Sequence, residues 1–273
     1  MSTRLARLAH AALLAAGLAG CALAPPGPAP PEPGSTRTRA AEPPRVYGVD
    51  GQLPPGRARQ ILRRLEQQDP GDLLARHLRA TEGLVKAPLR VGNAVELLID
   101  GPATHQAMYA AIDAARDTVN LETYILQYDI IGQAFADLLI RVRERGVHVN
   151  VLYDGVGSIG TPPAFFDRLR AHGVQVCEYN PVNPLHAHRG WKVNNRNHRK
   201  QLIVDGRIGF TGGINISGVY RTGSFSLRRR KPVEEGWRDT QVEVRGPAAR
   251  DMQRLFVDSW REQCGEPCIF QTC

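Results

Sequence analysis

Aromatic residues are scarce in this chain: 3 Trp, 7 Tyr and 7 Phe make up 6% of its 273 residues. No stretch interleaves them with Lys and Arg, which argues against the aromatic platform on which single-stranded nucleic acids stack. Long apolar runs are missing too. The one candidate, within Met1 to Gly20, falls short of the roughly 20 residues that a comfortable membrane-spanning helix needs. Acidic residues are outnumbered by basic ones, 27 to 35, and the resulting formal charge of +8 argues for an anionic partner without choosing between lipid and nucleic acid. Cysteines number 5. Cys264 and Cys268 have the spacing of half a zinc site, but no second half exists. His186 and His188 lack a carboxylate or cysteine at a supporting distance, so no metal is assigned to them.

What is present begins with an export signal. Arg4 and Arg7 precede an Ala- and Leu-rich stretch that ends in Leu18-Ala19-Gly20-Cys21. The LAGC sequence resembles the bacterial lipobox, which makes Cys21 the expected site of lipidation and residues 1–21 a lipoprotein signal. Ala22 behind it, by the same resemblance, favours a periplasmic location with the anchor in the outer membrane. Residues 22–56 are rich in proline and read as an extended tether. Residues 57–91 read as an appendage of two short helices, with Ile61, Leu62, Leu65, Leu73, Leu74 and Leu78 as apolar positions and Asp69-Pro70-Gly71 as the turn. With Cys21 acylated, Cys177, Cys264, Cys268 and Cys273 remain in an oxidising compartment, where three pairings are open. A local Cys264–Cys268 bridge or free thiols is the preferred reading.

The main domain is expected over residues 92–263, with a short cysteine-bearing tail at 264–273. Strands are predicted at Ala94 to Asp100, Thr118 to Leu126, Val147 to Tyr153, Val174 to Tyr179 and Arg238 to Arg245. Between and after them the 3.6-residue periodicity predicts helices at Pro102 to Arg116, from Ile131 to the stop at Gly146, at Pro163 to Ala171 and at Pro247 to Arg261. Met252, Leu255, Phe256 and Trp260 are the face predicted for the last helix. This order implies an α/β fold: a largely parallel mixed sheet with helices on both faces, gathering ligands at the carboxyl ends of its strands.

The chemistry is concentrated in Asn197 to Asn215, NHRKQLIVDGRIGFTGGIN. Leu202-Ile203-Val204 reads as a buried strand, and alternation puts His198 and Lys200 on the same side of the chain. A neutral imidazole can attack phosphorus if a nearby ammonium and amide stabilise the non-bridging oxygens. Lys200 and Asn215 are the candidates for that stabilisation, and Gly212 and Gly213 would let the backbone approach the anion. Asp205 either orients the histidine or bonds to the backbone near its own turn. Asp239 opens the last strand, with Glu234 and Glu235 shortly before it. His186, His188, Arg189 and Lys192 read as a basic rim, and Arg221 and Arg228 to Lys231 as a solvated or lipid-attracting charge run.

The pattern resembles the HxKxxxxDxxxxxxG(G/S)xN motif of the phospholipase D superfamily, and NNRNHRKQLIVDGRIGFTGGINIS followed by Trp237-Arg238-Asp239-Thr240 is similar to its bacterial cardiolipin synthase branch. The resemblance implies phosphatidyl transfer from an anionic, phosphatidylglycerol-type lipid at a membrane surface, through a phosphohistidine on His198 and without cofactor or metal. It places at Asp239 the acid that fixes the His198 tautomer, with Asp205, Glu234 and Glu235 as alternatives. It also implies a second motif, whose histidine protonates the leaving group, and this chain carries one. Two arrangements meet that need: a homodimer sharing its sites across a two-fold axis, or the amino-terminal half of a longer enzyme, which is the preferred reading. The rivals are a single-motif nuclease or phosphodiesterase acting as a dimer, and a silent half-domain that binds anionic lipid.

Overall fold

From Ala94 onward, β-branched strands alternate with amphipathic helices, and in the computed structural model they assemble around one seven-stranded sheet. The structure describes residues 45–67, 77–78, 89–183, 191, 194–220 and 236–265. The signal, Cys21, the tether as far as residue 44, His186, His188, Arg189, Lys192, Arg221, the 228–231 charge run, Glu234, Glu235, Cys268 and Cys273 lie outside the described residues. So does the second predicted appendage helix, apart from His77 and Leu78, which are helical.

Residues 45–56, expected as extended tether, are folded instead: they hold the strands β1 (Val46–Gly48) and β2 (Gly51–Gln52) and the start of the helix α1 (Pro55–Gln67). With β3 (Leu89–Arg90) the strands form a small sheet in the order β2-β1-β3. This small sheet is not legible in the sequence, because strands of two or three residues carry no measurable alternation. Arg90 fastens it to the main domain with a two-pronged bond to Asp251, 2.5 and 2.9 Å.

The main domain runs β4 (Ala94–Ile99), α2 (Asp100–Asp113), β5 (Thr118–Thr123), α3 (Ile130–Glu144), β6 (His148–Asp154), α4 (Pro163–Ala171), β7 (Gln175–Tyr179), β8 (Gln201–Val204), β9 (Ile208–Gly212), β10 (Thr240–Arg245) and α5 (Ala248–Cys264). Sheet order is β4-β10-β9-β8-β5-β6-β7. The α/β class and the helices on both faces are as expected, but parallel pairing is confined to β5-β6-β7. The other neighbours pair antiparallel. The reason is connection length: parallel neighbours need a crossover helix, and β8 reaches β9 through a tight turn that permits only a hairpin.

One face of the sheet is buried by α2, α3 and α4. Leu121, Phe135, Leu139, Leu169, Leu202 and Phe210 are at most 1% exposed there, and each such side chain contributes roughly 1.5–3 kcal/mol by leaving water. The helix α3 starts where Asp129 accepts the Ile131 and Gly132 N–H groups, both at 2.9 Å, which satisfies amides left without intrahelical partners. On the other face α5 presents Phe256 and Trp260 to Leu152, Tyr179 and Ile203. Leu255, predicted inward, is 51% exposed. It faces an open cleft that it lines together with Tyr179, Asp258 and Ser259.

A disulfide joins Cys177 on β7 to Cys264 at the end of α5, with Cα atoms 6.2 Å apart. This overturns the preference for a local Cys264–Cys268 bridge. Cys264 lies in the last turn of a helix packed on β7, so the sheet brings it a partner that is 87 residues away in sequence.

Candidate active site

The motif enters the sheet at the end where β5, β6 and β7 finish. The strand β8 begins only at Gln201, paired with Glu122 of β5, so His198 and Lys200 occupy the extended stretch just before it. Both meet Tyr124, the first residue beyond β5. The His198 and Tyr124 ring centroids are 4.7 Å apart, and Lys200 Nζ lies 5.1 Å from the Tyr124 ring centre. His198 is exposed, whereas Lys200 is 5% exposed. Its ammonium donates to the His198 carbonyl oxygen at 2.7 Å. Burial pulls the Lys200 pKa down to about 8, and the negative charges of Asp239 and Asp154 oppose that shift. The result is a lysine that is charged at neutral pH with little margin.

Asn215 is 3% exposed. Its Oδ1 accepts the Ile125 N–H at 3.1 Å, its Nδ2 donates to the Tyr220 hydroxyl at 3.0 Å, and its carbonyl accepts from His105 Nε2 at 3.4 Å. The amide therefore fastens the segment that carries Tyr124, a positioning role the sequence did not reveal. His105 is buried, and desolvation lowers its pKa. The neutral ring that donates to Asn215 is the form this site favours.

Asp205 occupies the turn between β8 and β9 with φ of 52°. Its carboxylate accepts the N–H groups of Arg116, Asp117 and Thr118 at 2.8–3.3 Å. At ~3.3 Å per residue, five residues of extended chain put it about 16 Å from Lys200. Of the two roles open in sequence, orienting the histidine is excluded by that distance and anchoring the turn is the one observed.

Gly212 and Gly213 also serve a purpose other than the one expected. A Cβ on Gly212 would stand 2.4 Å from the Thr240 carbonyl, and one on Gly213 would stand 2.1–2.3 Å from the Asp239 carboxyl atoms. The glycines let β10 and Asp239 close on the site, which is a strand contact rather than an anion cradle. Asp239 Oδ1 accepts the Thr240 N–H at 2.7 Å. Among the described residues no hydrogen bond joins Asp239 to His198, so its effect is electrostatic and falls on Lys200.

Two carboxylates that were not singled out in the sequence complete the site. Glu122 and Asp154 are each 1% exposed. Glu122 accepts from Asn197 Nδ2 and Gln201 Nε2, and Arg199 Nη1 lies 3.5 Å from it. Asp154 accepts the Asn197 N–H at 2.9 Å and the Val156 and Gly157 N–H groups, with Arg196 Nη1 at 3.4 Å. The residues on either side of His198 are thus pinned to buried charge, which fixes the backbone from which the imidazole projects. The available signal was an acid inside each of two apolar strands, since buried carboxylates are rare unless paired.

A cleft of about 460 Å³ borders His198, with Arg196, Asn197 and Arg199 on one wall and Leu255, Asp258, Ser259 and Glu262 of α5 on the other. Among the described residues no group of three or more His, Cys, Asp or Glu could hold a metal ion, and no helix is long and apolar enough to cross a membrane.

Residues 108–221 match the family model described as cardiolipin synthase, PLD-like domain. The chain is 40% identical over 187 residues to cardiolipin synthase A of Pseudomonas putida, covering 67% of this chain and 36% of that one. It is 36% identical over 197 residues to a cardiolipin synthase of Alkalihalophilus pseudofirmus, covering 71% and 37%. It therefore spans about a third of the length of the curated relatives it matches. Among solved structures, a phospholipase D family member, Nuc from Salmonella typhimurium, aligns at 18% identity and a TM-score of 0.45 over 63% of this chain and 97% of its own. By these sequence matches the chain belongs to the phospholipase D superfamily, on its cardiolipin synthase-like branch.

Proposed function

We propose that this chain supplies the nucleophilic half of a phosphatidyl-transfer site of the phospholipase D and cardiolipin synthase type. The observation that carries the reading is the pairing of an exposed imidazole with a buried ammonium around Tyr124. His198 attacks the phosphorus of a phospholipid phosphodiester, forming a P–N bond as the bond to the leaving alcohol breaks. The departing oxygen takes a proton from an acid that the described residues do not provide. A second histidine, from another copy or from the further sequence that the longer relatives possess, fits that role. In the second step the hydroxyl of water or of an acceptor lipid attacks phosphorus. Its proton returns to the base, and the P–N bond breaks.

Lys200 neutralises the equatorial oxygens in both steps, at a position where low dielectric strengthens the attraction. Asp239 and Asp154 keep that lysine charged, Asn215 sets the floor beneath Tyr124, and Glu122 holds the His198 backbone. Placement and charge stabilisation then provide the acceleration, as in phosphoryl transfer generally. The disulfide between Cys177 and Cys264 supports a periplasmic setting, since such bonds persist in oxidising compartments. Lipidation at Cys21 would hold the domain at the membrane.

The test pairs substrates. Purified protein is incubated with phosphatidylglycerol vesicles and, separately, with DNA, and intact-mass and peptide mass spectrometry follow any adduct on the peptide containing His198. The expected result is a phosphatidyl adduct that vanishes in His198→Ala. Cleavage of DNA with lipid left untouched would refute the lipid reading.

A further inference from the structure

Of the twelve large apolar side chains that stand exposed among the described residues, seven lie on the loops and loop-to-helix junctions at the site end of the sheet. Scattered exposed apolar residues are ordinary, but a concentration at one rim marks a contact surface. Tyr128 is 53% exposed, Ile130 62%, Ile159 70% and Trp237 63%. Val156 and Val219 stand between them in the chain of loops, at 37% and 40%.

These loops are tied to one another. Thr161 Oγ1 donates to the Leu126 carbonyl at 2.6 Å, joining the Ile159 loop to the Tyr128 loop. Tyr128 rests edge-on against Phe165, with ring centroids 5.8 Å apart. Asp129, between Tyr128 and Ile130, accepts the Gly218 N–H at 2.5 Å and so joins that loop to Val219. The Val219 carbonyl accepts the Trp237 N–H at 2.9 Å, and the Trp237 ring meets the Tyr220 ring at 6.1 Å. Tyr220 in turn receives Asn215. The backbone polar groups at these joints are satisfied inside the rim, while its apolar side chains point outward.

We propose that this rim, from Ile159 through Tyr128 and Ile130 to Trp237, inserts into the head-group layer of an anionic bilayer and so delivers a lipid phosphodiester to His198. The inference rests on the phosphatidyl-transfer reading of the site. Three features favour a bilayer as the occupant. The set mixes Tyr and Trp with aliphatic residues, a composition suited to the boundary between water and acyl chains. Arg238, beside Trp237, keeps a side chain that is 66% exposed, and the chain as a whole carries a charge of +8, both complementary to anionic lipid. Finally, the rim is bonded through Tyr220 to the Asn215 segment at the end of the sheet that carries His198, so insertion of the rim would set that end of the sheet against the bilayer surface.

The experiment uses the full chain and vesicles of phosphatidylglycerol, with and without brominated acyl chains. Trp237 fluorescence should be quenched by the brominated lipid, with most of the quenching lost in Trp237→Phe. The triple variant Tyr128→Ser, Ile130→Ser, Ile159→Ser should abolish the quenching and lower vesicle affinity about tenfold or more, given the apolar surface it removes. A lipid tether gives binding but no contact of Trp237 with acyl chains, so quenching separates the two. Val95→Ser with Leu97→Ser on the distant β4 is the control and should change nothing. Turnover of a monomeric short-chain phosphatidylglycerol should survive in the triple variant, which also shows that it folds. If wild type turns over neither lipid form, the functional reading fails while quenching still decides the rim. Unquenched Trp237, or a triple variant that loses self-association and keeps vesicle contact, overturns the proposal.

Discussion

Lys200 offers the sharpest test, because its protonation links stability to function. Its pKa is lowered from 10.5 to about 8, chiefly by burial. The unfolded chain therefore holds a proton between about pH 8 and 10.5 that the folded chain has released, and stability rises with pH across that window. At 1.36 kcal/mol per pKa unit the penalty for the buried ammonium has a ceiling of about 3 kcal/mol, and roughly half of that after screening at an open mouth. It is present in full below pH 8. Activity runs the other way. Near pH 7 about 90% of the lysine is charged, and near pH 9 about 10%, so kcat/KM should fall along an alkaline limb centred near 8. Bound phosphodiester raises the lysine pKa, so the kcat limb should lie at higher pH than the kcat/KM limb. Lys200→Arg keeps its charge throughout and should lose the limb while turning over more slowly, since a planar fork does not replace a point charge. Carbon-13 detected titration of the Lys200 ε-methylene reads the same pKa without any activity. A titration above pH 10, or an unchanged limb in Lys200→Arg, would refute the reasoning.

Asp205→Ala removes the acceptor for three backbone N–H groups and leaves alanine in the left-handed region, so a loss of about 2–3 kcal/mol in urea unfolding is expected. Its kcat should stay within about twofold, well short of the ~100-fold or greater loss expected of a group that stabilises the transition state. Gly213→Ser forces the Asp239 carboxylate away, weakening its support of the Lys200 charge. The alkaline limb of kcat/KM should therefore move to lower pH, and a limb that stays in place would show that Asp239 does not act on Lys200. Replacing Cys177 and Cys264 by serine opens a loop spanning 87 residues in sequence. Thermal unfolding should then drop by roughly 5–15 °C, which calorimetry in oxidising buffer would detect.

Alternation along extended chain, a local property, was enough to put His198 and Lys200 on one side, while Asn215 joined them only through the motif resemblance. The predicted strands and helices from Ala94 to Cys264 were legible for the same reason: residues such as Met108, Ala111, Ile112 and Ala115 repeat at helical intervals. Roles were less legible than positions. Whether Asp205 serves the histidine or its own turn depends on how far a strand carries it, and whether Gly213 cradles an anion or admits Asp239 depends on which strand pairs beside it.

By itself, then, the sequence determined most strands and helices of the main domain, which follow from short-range periodicity, and its motif carried the resemblance to the superfamily. The strand β9 and the small sheet of β1 to β3 were too short or too Gly-rich to read. Only the tertiary structure decided that the sheet is parallel on one side alone, that Glu122 and Asp154 pin the motif from beneath, and that Cys177 finds Cys264. Each of those depends on which distant residues the sheet order brings within bonding distance. Contacts of that range are created by packing, and no local pattern encodes them.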